Sequence, residues 1–201
     1  MRKVHIVGID SLMTTMYLRM GWNIVNYIDE SVSLIQFTGG EDVDPSYYGE
    51  TKHARTYSNP RRDAEEILVY NEWVGILPMS GICRGGQLLN VLNGGKMWQH
   101  VTNHGVSGTH PATCALTGEE VEVTSVHHQM MIPGPDAKLL LTASQAKRKE
   151  GPTFSVEGVE EDVEAILYEK TKCLCYQPHP EYVSVQHPCA LNYFKYLDLI
   201  L

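Results

Sequence analysis

With 201 residues, 43% of them hydrophobic, the chain can bury a full core and falls within the ordinary range of one domain, here residues 1–201. Lys and Arg number 16 against 24 Asp and Glu, a formal charge of -8 with no dense basic stretch, which argues against nucleic acid as a direct partner. No apolar run approaches the ~18 residues of a membrane span, and Asp10 breaks the first apolar run too early for a secretory leader.

Residues 3–7 read as a first buried strand, and Met13, Met16, Tyr17 and Met20 follow at helical spacing. Residues 23–27 and 34–37 are the next strand candidates. Thr38-Gly39-Gly40 then opens a loop rich in Asp, Pro, Tyr and Gly that runs to about residue 59. A loop of that length inside a domain is more often functional than idle. Pro60 suits the first turn of a helix with Ala64, Ile67 and Leu68 on one face, and residues 74–78 return as an apolar strand. After a tight turn at residues 81–86, Leu88, Val91 and Leu92 stripe a helix that stops at Gly94-Gly95. Strand candidates at 122–125, 139–142, 164–168 and 173–176 follow, and a last helix carries Leu191, Phe194 and Leu197. The β-α-β alternation of the first half implies an α/β fold with a mostly parallel, twisted sheet flanked by helices.

The five cysteines, Cys83, Cys114, Cys173, Cys175 and Cys189, are too scattered for a disulfide framework and fit a reducing, cytoplasmic setting. Cys173 and Cys175 lie two apart on a strand, so both face one side and read as core. Cys83 stands in a different context. Gly81-Ile82-Cys83-Arg84-Gly85 joins an apolar strand to an amphipathic helix, the setting of a nucleophile elbow. The sharp turn crowds its flanking backbone, which glycine tolerates, and holds the central residue strained and exposed. The N–H groups and dipole at the start of the helix favour a thiolate and an oxyanion beside it.

Gln177-Pro178-His179-Pro180-Glu181 follows another apolar strand. The flanking prolines restrict the backbone of His179, and a carboxylate two residues on can fix the tautomer of a base. Joined to the elbow, these residues make a Cys83-His179-Glu181 triad. His100 and His104 sit four apart, but no helix pattern or supporting carboxylate surrounds them or His110, so they read as solvated loop histidines, and no metal is expected.

The chain resembles the class I glutamine amidotransferase superfamily, and within it the γ-glutamyl-γ-aminobutyrate hydrolase branch. The matching residues are Phe37-Thr38-Gly39-Gly40-Glu41-Asp42-Val43-Asp44-Pro45, Tyr48-Gly49-Glu50, Arg62-Asp63, Gly81-Ile82-Cys83-Arg84-Gly85-Gly86-Gln87, Asn90-Val91, Gly94-Gly95, His127-His128-Gln129 and His179-Pro180-Glu181. The resemblance implies a flavodoxin-like fold without a cofactor. It implies that Cys83 forms a γ-glutamyl thioester, that His179 acts as acid and base in its hydrolysis, and that Glu181 orients His179. The oxyanion hole would come from the Gly39-Gly40 turn and the backbone of Arg84, and Gln87, His127, His128 and Gln129 would line the substrate pocket. Glu41, Asp42, Asp44 and Glu50 would shape the loop rather than hold a cation. The substrate is glutamine, with ammonia passed to an ATP-dependent ligase or synthetase, or a γ-glutamyl amine cleaved unaided. Pro178 replaces the aromatic residue frequent before the family's histidine, and the chain is shorter than the usual hydrolase of this branch. Two other readings stay open: a catalytically silent binding or scaffold member of the fold, and a cysteine hydrolase or peptidase of the same superfamily acting on unrelated amides.

Overall fold

The computed structural model describes residues 1–151, 155–157 and 161–201. In chain order the elements are β1 (Lys3–Val7), α1 (Ser11–Arg19), β2 (Asn23–Val25), β3 (Leu34–Phe37), α2 (Pro60–Trp73), β4 (Met79–Ile82), α3 (Arg84–Leu92), β5 (Lys96–Trp98) and β6 (His100–Val101). They continue with β7 (Gly105–Cys114), β8 (Glu120–Val126), β9 (Met130–Ile132), β10 (Lys138–Ala143), β11 (Arg148–Glu150), β12 (Ser155–Glu157), β13 (Asp162–Tyr168), β14 (Cys173–Tyr176) and α4 (Pro188–Leu197). Local chemistry sets the helix starts. The Asp10 carboxylate accepts from Met13 N and begins α1, and Asn59 does the same for Arg62 N ahead of Pro60 in α2.

The main sheet has nine strands in the order β2-β1-β3-β4-β14-β13-β10-β7-β8. The first five run parallel, as the alternation in the first half implies, whereas β13, β10, β7 and β8 add antiparallel pairings. Every residue of β3, β4, β13 and β14 is buried, the mark of strands covered on both faces. On one face, Met13, Met16 and Tyr17 of α1 and Tyr193, Tyr196 and Leu197 of α4 pack on Val4, Leu34 and Leu174. On the other, Tyr70 of α2 and Leu88 and Leu89 of α3 pack on Ile35, Phe37, Met79 and Ile166. Cys173 and Cys175 belong to this second layer, both facing one side as expected.

Two expected strands shift. Residues 74–78 form the exit from α2, because Val74 N–H still bonds Tyr70 O and Gly75 turns the chain at φ 74°, so the strand starts at Met79. Residues 23–27 hold a strand only to Val25. The ten-residue β7 is new, and its Pro111 is tolerated because β10 pairs only with Thr113 and Cys114. No helix among the described residues is long and apolar enough to cross a membrane.

Candidate active site

β4 and β14 are parallel neighbours, with Ile82 opposite Tyr176, so both chains leave the sheet at the same edge. Cys83 follows Ile82 with φ 52° and ψ -115°, and α3 begins at the next residue. Its N–H donates to Tyr176 O at 2.7 Å, and its carbonyl receives Gln87 N at 2.9 Å. A Cβ on Gly81 would overlap the backbone of Gly85, and one on Gly85 would lie 2.5 Å from Phe37 O. The glycine spacing of the elbow is therefore required by the fit of α3 against β3 and β4. A left-handed non-glycine residue costs about 1–3 kcal/mol, which the surrounding strands must override.

His179 emerges from the neighbouring strand end. Its N–H donates to Thr124 Oγ1 in β8 at 2.6 Å, and its Nδ1 lies 2.6 Å from Glu181 Oε1. A turn of 3-10 helix at Pro180–Tyr182 folds the carboxylate back to the ring and stacks Tyr182 on it, with ring centroids 4.4 Å apart and planes 8° from parallel. Burial pulls the imidazole pKa down, but the charge and hydrogen bond of Cys83, together with Glu181, outweigh it and raise the pKa to about 11. Cys83, His179 and Glu181 are thus brought together, with the carboxylate on the imidazole Nδ1 and Cys83 near the ring beside Gly39.

Gly39 passes over both groups. A Cβ there would sit 3.1 Å from His179 Cε1 and 3.8 Å from Cys83 Cβ. Arg62 Nη2 donates to Thr38 O at 3.2 Å and to Gly39 O at 2.9 Å. In a planar trans peptide the N–H opposes the C=O, so the N–H groups of Gly39 and Gly40 face away from Arg62. Glu66 and Glu41 in turn hold the guanidinium, at 2.8 and 3.0 Å. Arg62, Thr124 and Tyr182 touch the candidate site without having been assigned to it from the sequence; only Tyr182, three residues after His179, left a local signal.

The expected pocket residues divide. The Arg84 side chain is buried and paired with Asp63 and Glu66, so only its backbone N–H, in the first turn of α3, is available to an oxyanion. Gln87 donates to Gln177 Oε1 at 3.1 Å, tying α3 to the end of β14. Gln129 is buried and donates to Gln99 O at 3.2 Å and Thr56 Oγ1 at 3.3 Å. His127 is buried too, with Nδ1 2.9 Å from Gln129 O. His128 is part exposed, its Nε2 3.1 Å from Asp42 Oδ1. These contacts correct the picture of three residues lining a pocket: Gln87, His127 and Gln129 point inward. Gln99 Oε1 also accepts from His53 N and Thr56 Oγ1, and Asp42 and Tyr57 bond each other twice, so residues 41–59 form a stitched loop. His104 and His110, expected in solvent, are buried. A cavity of about 430 Å³ lies beside the Gly39 turn, lined by Gly8, Asp10, Thr38, Glu41, Arg62 and Glu66 among others, and neither Cys83 nor His179 faces it.

The family model described as Peptidase C26 matches residues 12–181. A protein of Mycobacterium tuberculosis named "putative glutamine amidotransferase" is 33% identical over 178 residues, which is 78% of this chain and 53% of that protein. A "putative glutamine amidotransferase-like protein" of Lactococcus lactis is 30% identical over 179 residues, 79% of this chain and 70% of the other. The chain thus spans about half the length of the mycobacterial relative. Among solved structures, a "putative GMP synthase subunit a protein" of Thermoplasma acidophilum aligns over 100% of this chain and 94% of its own, with a TM-score of 0.63 at 17% identity. That likeness is one of fold.

Proposed function

Because the chain belongs to the Peptidase C26 family, within the class I glutamine amidotransferase superfamily, we propose that it hydrolyses γ-glutamyl amides through a thioester on Cys83. Membership of the family supports a glutamine amidotransferase-type hydrolase. The observation that carries it is the buried His179, bonded at Nδ1 to Glu181 and gathered with Cys83 beneath the Gly39 turn.

The Cys83 thiolate attacks the γ-carbonyl carbon, and the charge moving onto the carbonyl oxygen meets the N–H groups of the Gly39-Gly40 turn and of Arg84. Imidazolium at His179 gives its proton to the departing nitrogen, the C–N bond breaks, and ammonia or an amine leaves. Water then attacks the thioester while His179 takes its proton. The C–S bond breaks, releasing glutamate and restoring the thiolate–imidazolium pair. Glu181 stabilises the charged ring and fixes its tautomer. No cofactor enters either half of the cycle.

Mass spectrometry after incubation with glutamine, γ-glutamyl amines, α-glutamyl amides and β-aspartyl amides tests the reading. A γ-glutamyl adduct on Cys83 with the first two sets, and none with the others, is expected; no adduct with any would favour the silent scaffold. The same assay separates two leaving groups. Cleavage of γ-glutamyl amines by the chain alone makes it a γ-glutamyl-amine hydrolase. Glutamine turnover only beside an ATP-dependent synthetase makes it an amidotransferase subunit.

A further inference from the structure

Four ionisable side chains outside the proposed chemistry meet within the antiparallel half of the sheet. His104 precedes β7, His110 lies within it, His127 follows β8, and Glu164 sits in β13. Their residues are 0%, 6%, 4% and 0% exposed. One ligand-capable atom from each falls within 4.8 Å of all the others.

Each imidazole is fixed through its far nitrogen. His104 Nε2 lies 3.0 Å from Asp162 Oδ2, His110 Nδ1 3.1 Å from Pro111 O, and His127 Nδ1 2.9 Å from Gln129 O. A carbonyl can only accept, and the Asp162 carboxylate is ion-paired with Lys149 Nζ at 2.9 Å and accepts from Gln145 N at 2.5 Å and Ala146 N at 2.8 Å. The far nitrogens therefore carry the protons, which leaves a lone pair on each near nitrogen. Those near atoms, His104 Nδ1, His110 Nε2 and His127 Nε2, have no hydrogen-bond partner among the described residues, and neither does either Glu164 oxygen. Buried acceptors facing one another without a donor are costly unless a cation lies between them.

The spacing fits such a cation. The three near nitrogens stand 3.5, 3.4 and 3.7 Å from Glu164 oxygens. A tetrahedral metal about 2.0–2.1 Å from each ligand sets the ligands about 3.3–3.4 Å apart. Carbonyl and carboxylate acceptors on the far nitrogens are also the usual outer partners of metal-bound histidines. We propose that His104, His110, His127 and Glu164 hold one divalent transition-metal ion, zinc by the nitrogen-rich ligand set, in a structural site. Four protein ligands and complete burial leave no open position for catalysis. Gln177 N donates to the carbonyl of Glu164 at 2.8 Å, so the ion braces the strand end from which His179 projects.

The test uses the full chain without a histidine tag. After dialysis, elemental analysis of the native protein is expected to find about one zinc per chain. Chelator-stripped protein should regain one equivalent of zinc, and with cobalt(II) should show the intense visible bands of tetrahedral coordination. Saturating zinc should raise its Tm by about 5–10 °C when free metal is about a hundred times Kd. Glu164→Gln and His110→Ala should lose the equivalent. If they fail to fold, the wild-type stoichiometry and cobalt spectrum still decide. His53, His100 and His128 cluster at the surface, with ring centroids 6.3 and 6.2 Å apart, and are the competing ligands. The His53→Ala/His100→Ala double variant should therefore keep its zinc. Loss of metal there, with retention in Glu164→Gln, would overturn the site. So would a wild-type protein that neither contains nor takes up metal, since protons alone would then hold the cluster.

Discussion

Glu181→Gln isolates the charge of the third triad residue from its shape. The amide oxygen can still accept from His179 Nδ1 at a position that is 2.6 Å away in the native side chain, so ring orientation and tautomer survive. Only the charge is lost. Hydrogen bonds to charged groups contribute about 1.5–3 kcal/mol against about 0.5–1.5 kcal/mol for neutral ones, so the change removes about 1–2 kcal/mol of preference for imidazolium. At 1.36 kcal/mol per unit, that is about one pKa unit. The sign follows from Glu181 being one of the groups that raise His179 to about 11: without it the imidazolium releases its proton at lower pH. The alkaline limb of the kcat/KM profile should move about one unit toward neutrality, and turnover at the optimum should fall about 5- to 30-fold. His179→Ala, which removes the proton carrier, should cost ~10²–10⁴-fold. The assay is hydrolysis of a γ-glutamyl anilide across pH, paired with the rate of Cys83 alkylation by iodoacetamide. Both limbs are properties of the coupled Cys83–His179 pair, so the shift on substitution is what counts. An alkaline limb that stays in place, or equal small losses in both variants, would refute the assignment of Glu181 and His179.

Cys83→Ala keeps a Cβ in the strained turn and should abolish amide hydrolysis while leaving the circular dichroism spectrum unchanged; activity within a few-fold of native would exclude the covalent route. Arg84→Met takes the buried guanidinium from Asp63 and Glu66, leaving Asp63 no cationic partner among the described residues and Glu66 only Arg62, and should destabilise the fold by about 3–5 kcal/mol in denaturant titration, a loss absent if the ion pairs contribute nothing. Arg62→Lys replaces the fork that holds Thr38 O and Gly39 O, and should lower kcat at least about tenfold with KM little changed, short of the ~10²–10³ of losing an oxyanion donor outright. A change confined to KM would place Arg62 in substrate binding instead.

The motifs that hold Cys83, His179 and Glu181 were legible because each is local. Steric crowding around Cys83 demands Gly81 and Gly85 within two residues of it, and one 3-10 turn joins His179 to Glu181. The parallel half was legible for the same reason, since β1, β3, β4 and β14 each lead on to a helix before the chain forms another strand. The antiparallel half hid itself. β7 carries Gly, Thr, His and Pro without alternation, and β5, β6, β9 and β11 are three residues or fewer. With β7 missed, His104 and His110 had no reason to leave solvent, and the carboxylate that faces them lies 54 residues beyond His110, on β13. Only the sheet order and register bring them together. Gln87 and Gln129 misled in the opposite sense: polar residues beside catalytic motifs look like ligand contacts, yet each satisfies a buried partner left open by a loop or strand end.

The two halves of the sheet meet at β14, and that seam divides the support of Cys83 and His179. Cys83 is held from the parallel side, where α3 closes on β3 and Arg84 is paired with Asp63 and Glu66 of α2. His179 is held from the antiparallel side, by Thr124 of β8 at its own N–H and by Glu164 of β13 through Gln177. The proposed nucleophile and base tolerate little error, because reacting groups must stay within hydrogen-bond reach of each other. Placing its members on adjacent parallel strands gives them a common edge, and backing each from a different layer lets neither drift without disturbing a buried charge or an unpaired donor. The nucleophile motif is thereby confined to one turn, while the support of the base must be spread over β8, β13 and the segments between them.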